Sequence, residues 1–418
     1  MHKKSLGLYM HIPFCHAKCA YCDFYSMSGA DDELKQRYVD ALLLQMEDYA
    51  AACRDYKIDT VFIGGGTPTT LPAKTMGELI DGIYRHFDVS RHAEFTMEAN
   101  PATVSLHTLT KYRKAGVNRL SLGLQSAHEQ ELSALSRIHS TADFEASYAA
   151  ARKAGFENIN VDLMYGIPLQ TAETFARSLD YVTALDPEHI SVYGLKIEEG
   201  TPFARQRDTL ILPDEDTEAE MYFDCIRHLE AKNYRHYEIS NFAKAGYECR
   251  HNLKYWNCDE YLGLGCAAHS YFAQTRFSMR RDMGLFIDAM EADLSGGGML
   301  TGDGVTLDAQ RLKSAQPVDE LYALTPDERI GEYIMLRLRL ADGISSEQFL
   351  QRFGLNFDAL YGRRLRVYID NGFMQYDGDS YAFTPKGMYV SNYILSNILE
   401  FDEESRLVAS ITDGDDKI

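Results

Sequence analysis

The sequence lacks the features of a membrane-spanning or secreted protein. Its 418 residues contain no apolar run of 18 residues and no signal peptide at the N-terminus. Three of its eight cysteines are clustered, and none of the others suggests a disulfide framework. Disulfides persist mainly in oxidising compartments. We therefore expect a cytoplasmic protein whose cysteines are reduced.

Basic residues are scarce relative to acidic ones. Lysine and arginine number 42 against 62 aspartates and glutamates, which gives a formal net charge of −20. A protein that binds a phosphate backbone usually carries excess positive charge. We therefore expect no nucleic-acid partner, and residues 406–418 are expected to be a solvated acidic tail.

Three cysteines near the start have the spacing Cys15-(x3)-Cys19-(x2)-Cys22. Three thiolates can hold three irons of a [4Fe–4S] cube and leave the fourth iron open to another ligand. A zinc site is the alternative, but it needs a further Cys or His pair at short spacing. The other cysteines form no such pair nearby: Cys53, Cys225, Cys249, Cys258 and Cys266. The spacing therefore predicts a [4Fe–4S] cluster with one open iron.

Apolar segments alternate with amphipathic ones along the first 230 residues, which predicts an α/β fold. Six units of a strand followed by a helix imply a parallel sheet that is closed or nearly closed into a barrel. An open doubly wound sheet is the alternative. The cysteine loop follows the first strand, at the edge where such folds place their sites. The predicted strands are 6–12, 60–66, 94–100, 119–125, 158–167 and 189–195. The predicted helices are 33–53, 73–87, 105–115, 143–154 and 172–185.

The alternation breaks at about residue 234, where aromatic, His and Cys residues become frequent. Residues 295–304 are rich in glycine and are predicted to be a loop. After Pro326, three helices and a hairpin at Asp377-Gly378 predict a winged-helix-like fold. Because the net charge of the chain is negative, we expect this domain to pack against or cover the barrel rather than to bind DNA. The predicted domains are a barrel (1–235), a connecting region (236–315), a winged-helix-like domain (316–405) and the tail (406–418).

Polar residues recur at the ends of the predicted strands. The triple glycine before Thr67 lets a ligand approach the backbone closely, although a phosphate cradle remains the alternative. Glu98 could accept hydrogen bonds from a ribose diol, and Arg137 could pair with a ligand carboxylate. Gln125 and Asp162 mark the next two strands. Taken singly, each residue favours a structural role, Arg137 as a surface ion pair and Asp162 as a helix-cap partner, whereas their recurrence at successive strand ends favours a ligand site.

These segments together resemble a known family. The cysteine loop after LGLYMHIP resembles the signature of the radical S-adenosylmethionine (SAM) superfamily. YMHIPFC, GGGTPT, MEANP, RLSLGLQS and DLMYGIP are similar to oxygen-independent coproporphyrinogen III oxidases and their relatives, the haem chaperones of the HemW type. The resemblance covers nearly the whole chain. It implies a radical SAM (β/α)6 partial barrel in which Cys15, Cys19 and Cys22 bind the cluster. It also implies that SAM contacts Tyr9, Tyr21, Gly65, Gly66, Thr67, Glu98, Gln125, Arg137, Asp162 and, as a weaker match, Lys196.

Three features bear on the branch of this family. The oxidases have a further Cys two residues after the third ligand, where this chain has Phe24, and a longer N-terminal extension. His251 begins an HNxxYW segment that resembles the chaperone signature. This implies that His251 binds haem iron, whereas the local alternative is a hydrogen bond within a loop. Weaker candidates for the same site are Cys249, Cys258, Cys266 and His269.

Three functions therefore remain open: a haem chaperone, a coproporphyrinogen III oxidase, and another radical SAM enzyme. The chaperone is favoured, and coproporphyrinogen oxidase activity is not expected. The implied cofactors are the [4Fe–4S] cluster and SAM, with haem as cargo. The implied partners are haem, haem-accepting proteins and an electron donor for the cluster. Peripheral association with a membrane is left open.

Overall fold

A computed structural model describes residues 3–292 and 307–399. The predicted loop at 295–304 and the predicted tail at 406–418 lie outside these residues. The first strands are β1 (Lys4–Ile12), β2 (Phe14–Cys15), β3 (Met27–Ser28), β4 (Tyr56–Gly65), β5 (Val89–Ala99), β6 (Arg119–Gln125), β7 (Ile159–Tyr165) and β8 (His189–Gly194). Strands β1, β4, β5, β6, β7 and β8 pair in parallel in this order. All six predicted strands are therefore present.

The helices of this part connect the strands. They are α1 (Asp32–Ala50), α2 (Ala73–His86), α3 (Leu106–Lys114), α4 (Glu129–Ala134), α5 (Thr141–Lys153) and α6 (Ala172–Ala184). Three of them start at a capping box, with Ser105, Ser140 and Thr171 as N-caps. Such a box satisfies two backbone N–H groups at the helix start. In α1, the buried Leu42 and Met46 lie on one face, as the periodicity predicts.

The next part extends the sheet at both edges. Its strands are β9 (Arg235–Glu238), β10 (Asn241–Ala243), β11 (Tyr261–Leu264), β12 (His269–Phe272), β13 (Thr275–Met279) and β14 (Val318–Ala323). Strand β10 pairs antiparallel with β8 at one edge, whereas β11 pairs in parallel with β1 at the other. The helices are α7 (Pro202–Arg205), α8 (Glu215–Ala231), α9 (Arg250–Trp256), α10 (Met283–Ala292) and α11 (Ala309–Ser314). Along the chain, helix α9 therefore connects β10, which extends one edge of the parallel sheet, to β11, which extends the other.

The complete sheet has twelve strands in the order β14-β13-β12-β11-β1-β4-β5-β6-β7-β8-β10-β9. Its two outer strands, β14 and β9, do not pair with each other in the described residues, so the barrel is partial rather than closed. The break in alternation at residue 234 does not end the sheet. Strands β9 to β13 have only three to five residues each, too few for a period-2 pattern to be recognised.

The C-terminal part forms a smaller unit. It contains α12 (Pro326–Arg337), β15 (Ile344–Ser345), α13 (Ser346–Phe353), α14 (Arg363–Asp370), β16 (Met374–Tyr376), β17 (Ser380–Phe383), α15 (Pro385–Tyr389) and α16 (Ser391–Ile398). Strands β15, β17 and β16 form a three-stranded sheet, with the expected hairpin between β16 and β17. Arg352 donates to the carbonyls of Asn257 and Cys258 and so joins this unit to the barrel. The fold class is that predicted, and the exact domain boundaries remain predictions.

In residues 3–292 and 307–399, no helix has both the length and the apolarity needed to cross a membrane.

Candidate functional site

A cavity of about 580 Å³ opens at the carboxyl ends of the parallel strands. It is lined by residues of β4, β5, β6, β7 and β8 and by the cysteine loop. Twelve of the fourteen residues predicted to bind the cluster, SAM or haem lie in its wall: Cys15, Cys19, Cys22, Tyr21, Gly65, Gly66, Thr67, Glu98, Gln125, Arg137, Asp162 and Lys196. The fold therefore brings together residues that are up to 181 positions apart in the sequence (196 − 15).

The cysteine loop is held by backbone contacts rather than by regular structure. The Ala20 N–H donates to the Leu135 carbonyl at 3.2 Å, and the Ala20 carbonyl accepts from the Phe203 N–H at 3.0 Å. Ala20 packs in a small apolar cluster against which Tyr21 also lies. These contacts fix the loop while Cys15, Cys19 and Cys22 all remain partly exposed to the cavity.

Two polar side chains donate to the cysteine sulfurs. The Arg137 Nη1 lies 3.4 Å from the Cys19 Sγ, and the Thr67 Oγ1 lies 3.6 Å from the Cys15 Sγ. Donors of this kind stabilise a thiolate and tune the sulfur ligands of a cluster. Burial raises the pKa of the Cys22 thiol above its ordinary value, so a bound metal is needed to hold it as a thiolate.

The donor set fits an iron–sulfur cube. Three sulfurs from one short loop face a common cavity, and two of them receive hydrogen bonds from the cavity wall. In a cube the three sulfurs bind three different irons and need not converge on one ion. In residues 3–292 and 307–399, no group of three or more His, Cys, Asp or Glu side chains converges on a single ion position.

The glycine turn after β4 lies directly against the cysteine loop. The Gly66 N–H donates to the Ile12 carbonyl at 2.8 Å, and the Thr67 N–H donates to the Phe14 carbonyl at 2.7 Å. Gly65 has a φ of +112°, and a Cβ there would lie 2.7 Å from the His11 ring. Only glycine satisfies both the backbone angle and the close approach. The turn therefore forms one wall of the cavity beside Cys15.

Two carboxyl groups lie in the same cavity. The Glu98 Oε2 accepts from the Gly65 N–H at 3.1 Å. Burial, together with the nearby Asp162, raises the pKa of Glu98 to about 8. Burial also raises the pKa of Asp162, although Asn160 and Ser121 donate to its carboxylate at 2.7 and 3.2 Å. The oxygens of these two carboxyl groups can accept hydrogen bonds from the hydroxyls of SAM.

Arg137 and Gln125 lie together at the end of β6. The Arg137 Nη2 donates to the Gly123 carbonyl at 2.7 Å and also to Asn100. Gln125 is buried with a φ of +72°, and a Cβ on Gly123 would lie 2.8 Å from its Nε2. Arg137 thus points inward to the cysteine loop. It does not form a surface ion pair, which was the alternative interpretation of this residue.

Two predicted residues lie elsewhere or at the margin. Lys196 lines the cavity, but its side chain is 82% exposed and pairs with Glu198 at 2.6 Å. The Tyr9 hydroxyl lies outside the cavity wall, 3.0 Å from the His11 Nδ1. Since the His11 Nε2 lies 2.9 Å from the Tyr25 carbonyl, it carries the proton, and Tyr9 donates to Nδ1. A SAM contact by Tyr9 therefore stays a prediction.

His251 also lies outside this cavity, on α9. Its side chain is fully buried, with Nδ1 at 2.8 Å from the Thr60 hydroxyl and Nε2 at 2.8 Å from the Tyr255 hydroxyl. Burial lowers the pKa of His251 to about 3. Glu94 accepts from the His251 N–H at 3.0 Å and so holds the start of the helix. Iron ligation by His251 requires one of its ring contacts to break, and that role stays a prediction. Of the weaker candidates, Cys249, Cys258 and Cys266 are buried and His269 is exposed.

A polar network that contributes Ser121, Asn160 and Ser191 to the cavity wall was not predicted from the sequence. The Asn160 Oδ1 lies 3.0 Å from the Ser191 hydroxyl and 2.6 Å from the His189 Nδ1. Ser121 faces Asn160 across the strand pair, and both face Asp162. The available signal was a polar residue at every second position within apolar strands, as in Asn160-Val161-Asp162. Such residues point to the concave face of a barrel.

Comparison with known proteins adds the following similarities. Residues 9–182 match the Radical SAM superfamily, and residues 324–390 match the HemN C-terminal domain. The chain is 35% identical over 397 residues to the protein of Bacillus subtilis (strain 168) named "Heme chaperone HemW", covering 94% of this chain and 98% of that one. It is 40% identical over 264 residues to the protein of that name from Escherichia coli (strain K12), covering 63% and 69%.

A solved structure shows the same fold. Coproporphyrinogen III oxidase (HemN) from Escherichia coli, a radical SAM enzyme, superimposes with a TM-score of 0.80 over 96% of this chain and 91% of that one. The sequence identity is 23%, so this similarity concerns the fold alone. The partial barrel and the C-terminal unit therefore occur together in a solved structure.

Proposed function

Because this chain belongs to the haem chaperone HemW family within the radical SAM superfamily, we propose that it binds haem and delivers it to acceptor proteins. The observation that carries this proposal is likeness over the full length: relatives named as haem chaperones align with 94% of this chain and 98% of their own. Likeness restricted to the barrel would support only the superfamily. Membership in the superfamily implies a [4Fe–4S] cluster and SAM as cofactors.

The cavity residues suggest how the cofactors are held. We infer that Cys15, Cys19 and Cys22 bind three irons, because all three face the cavity next to the glycine turn. Arg137 and Thr67 orient two of the sulfurs through their hydrogen bonds. When bound, the cluster would supply one-electron reducing power beside the SAM site.

SAM would occupy the remainder of the cavity. Glu98 and Asp162, two of the acidic residues of the wall, would accept hydrogen bonds from its hydroxyls. Gly65 and Gly66 allow the glycine turn to pack directly against its neighbours, since a side chain at either position would collide with His11 or with the cysteine loop.

The main alternative function is an oxygen-independent coproporphyrinogen III oxidase. One observation bears on it. The oxidases have a further Cys two residues after the third cluster ligand, and this chain has Phe24 at that position. The Phe24 side chain is 67% exposed beside the cysteine loop. We therefore expect cluster-loaded protein with SAM and a reductant to leave coproporphyrinogen III unconverted. Formation of protoporphyrinogen IX would support the oxidase instead.

The partners follow from the same proposal. They are haem, haem-accepting proteins and a one-electron donor that reaches the cluster through the open side of the cysteine loop. The eight free cysteines favour a reducing compartment such as the cytoplasm as the place of action. Peripheral membrane association remains compatible with such a chaperone.

Haem transfer tests the proposed function directly. Protein loaded with haem is mixed with the haem-free form of a haem enzyme, and the acceptor is then separated and assayed for bound haem. Free haem at equal concentration, with a competing haem scavenger present, serves as the control. Transfer from the loaded protein that resists the scavenger supports a chaperone. Equal scavenging of the loaded protein and of free haem would contradict it.

A further inference from the structure

The cluster cavity reaches far below the carboxyl ends of the strands. Its wall includes Arg119, the first residue of β6, as well as Gln125, the last residue of the same strand. These positions are six residues apart (125 − 119), which corresponds to about 20 Å at about 3.3 Å per residue. The Arg119 side chain is only 2% exposed and lies at the deep end of the cavity. A ligand in this cavity can therefore reach into the interior of the barrel.

Arg119 brings a buried cation to this deep end. Its Nε is buried and has no hydrogen-bond partner in the part of the chain that the structure describes. Two carboxylates, those of Glu94 and Asp162, interact with it electrostatically. Both already accept from other donors, Glu94 from the backbone of α9 and Asp162 from Asn160. Since a buried donor without a partner costs free energy, an acceptor atom on a ligand would stabilise this site.

Helix α9 is held against the middle of β4 and β5. The His251 Nδ1 lies 2.8 Å from the Thr60 hydroxyl of β4, and Glu94 of β5 accepts from two N–H groups at the start of the helix, at 3.0 Å each. Thr60 pairs with Glu94 in the sheet. Arg119 pairs with Thr96, two residues farther along β5. The helix therefore crosses the inner face of the sheet close to the level of Arg119.

Asn252 is the residue through which the HNxxYW segment enters the cavity wall. It directly follows His251, and consecutive residues of a helix point about 100° apart. His251 therefore faces β4, whereas Asn252 faces the cavity. The Asn252 side chain is half-buried, and its amide forms no hydrogen bond with another residue in 3–292 or 307–399. Such an amide is available both to donate to a ligand and to accept from it.

The polar groups of the deep part of the cavity fit a nucleoside. Glu98 and Asp162 provide acceptors for the hydroxyls of a ribose, and their acidity disfavours a simple anion. Arg119 and Asn252 provide donors for ring nitrogens or for hydroxyl oxygens. Phe62 adds a flat aromatic side chain of the kind on which bases stack. A nucleoside has donors, acceptors and a flat face, and so matches all three features.

SAM is the nucleoside-bearing cofactor of the proposed function, on which this inference rests. We propose that Arg119 and Asn252 bind the nucleoside of SAM by donating hydrogen bonds to its acceptor atoms. The HNxxYW helix is then part of the SAM site. His251 is a positioning residue, because its contact with Thr60 holds the helix so that Asn252 stays in the cavity wall.

The test uses two ligands in calorimetric titrations: SAM, and 5′-methylthioadenosine, which has the nucleoside but no amino-acid group. Asn252→Ala should weaken the binding of both by a similar factor, roughly 2- to 13-fold, the effect of losing one neutral hydrogen bond. Arg119→Lys keeps the charge but loses the planar fork of donors, and should weaken both by on the order of tenfold. Cys15→Ala should weaken SAM alone, because 5′-methylthioadenosine has no group for the open iron.

Two controls exclude a general loss of structure. Asn397→Ala, at an exposed asparagine of α16, is the matched control and should keep both affinities. Thermal unfolding shows whether each variant is folded. Asn252→Asp, which keeps the size of the side chain but loses its N–H donors, replaces Asn252→Ala if that variant does not fold.

The outcomes separate this inference from the proposed function. If the wild type binds no SAM, the proposed function loses its cofactor. If the wild type binds SAM but not 5′-methylthioadenosine, the inference fails while the function stands. The inference also fails if Asn252→Ala or Arg119→Lys binds both ligands as the wild type does, or if either variant loses affinity for SAM alone.

Discussion

Replacing Gly66 with alanine tests whether the glycine turn and the cysteine loop act as one site. A Cβ at this position would lie 2.7 Å from the Phe14 carbonyl oxygen and 3.0 Å from the Cys15 Sγ. The φ of Gly66 lies outside the left-handed region, so the effect comes from contact rather than from a strained backbone angle. Two of the three nearest atoms are backbone oxygens, which cannot rotate away. The cysteine loop must therefore move.

The size of the effect follows from this crowding. Overpacking a filled site costs about 1–3 kcal/mol. If that cost falls on the cluster-bound form, cluster affinity drops by roughly 5- to 150-fold, the equivalent of 1–3 kcal/mol. SAM binding should weaken as well, because the same turn forms a wall of its cavity.

The assay is iron and sulfide content after anaerobic reconstitution, followed by equilibrium dialysis with SAM. Gly77→Ala is the control, because Gly77 lies in α2 and a Cβ there meets nothing within 4 Å. That variant should keep the cluster and gain about 0.8–1.0 kcal/mol in the free energy of unfolding, since alanine favours helices. Wild-type iron content and SAM affinity in Gly66→Ala would refute the idea that the two segments form one site.

Three further predictions concern the cavity and its support. Glu98→Ala and Asp162→Ala should each weaken SAM binding by about 1–3 kcal/mol without loss of the cluster, and unchanged affinity in dialysis would remove them from the SAM site. Because the pKa of Glu98 is raised to about 8, its acceptor carboxylate forms only as the pH rises through that value. SAM affinity should therefore increase from about pH 6.5 to about pH 8.5 in the wild type but not in Glu98→Gln; equal slopes would contradict this. Tyr38→Phe removes a hydroxyl that donates to the His11 carbonyl at 2.8 Å and should lower the free energy of unfolding by about 1–3 kcal/mol in urea titrations; an unchanged midpoint would count against it.

The parallel half of the fold could be predicted from the sequence because apolar residues recur regularly along it. Strand β6 has a leucine at every second position, and the helices between the strands keep a regular spacing of apolar residues. The antiparallel extension from β9 to β14 could not, because its strands are short and are defined by distant pairing partners. Pairing across the chain is a tertiary property that local patterns do not carry.

The residues of the candidate site also differ in whether the sequence alone could predict them. Cys15 and Gly66 stand in compact motifs, and the structure places both in the cavity wall. Ser121 and Asn160 lie inside strands, and only the register shows that they face Asp162. His251 was predicted from a motif, and its contact with Tyr255 matches the i, i+4 spacing of a helix. Its burial and its contact with Thr60 of β4 depend on tertiary packing, which no spacing reveals.

The central claim is that this chain carries two separate iron-containing groups: a cluster on the cysteine loop and haem elsewhere. The most direct measurement is the content of cluster iron, sulfide and haem in one preparation of the wild type and of the Cys15→Ala, Cys19→Ala, Cys22→Ala triple variant. The account predicts about four cluster irons and about one haem per chain in the wild type, and no cluster but nearly unchanged haem in the variant. Loss of haem together with the cluster, in a variant that remains folded, would contradict it.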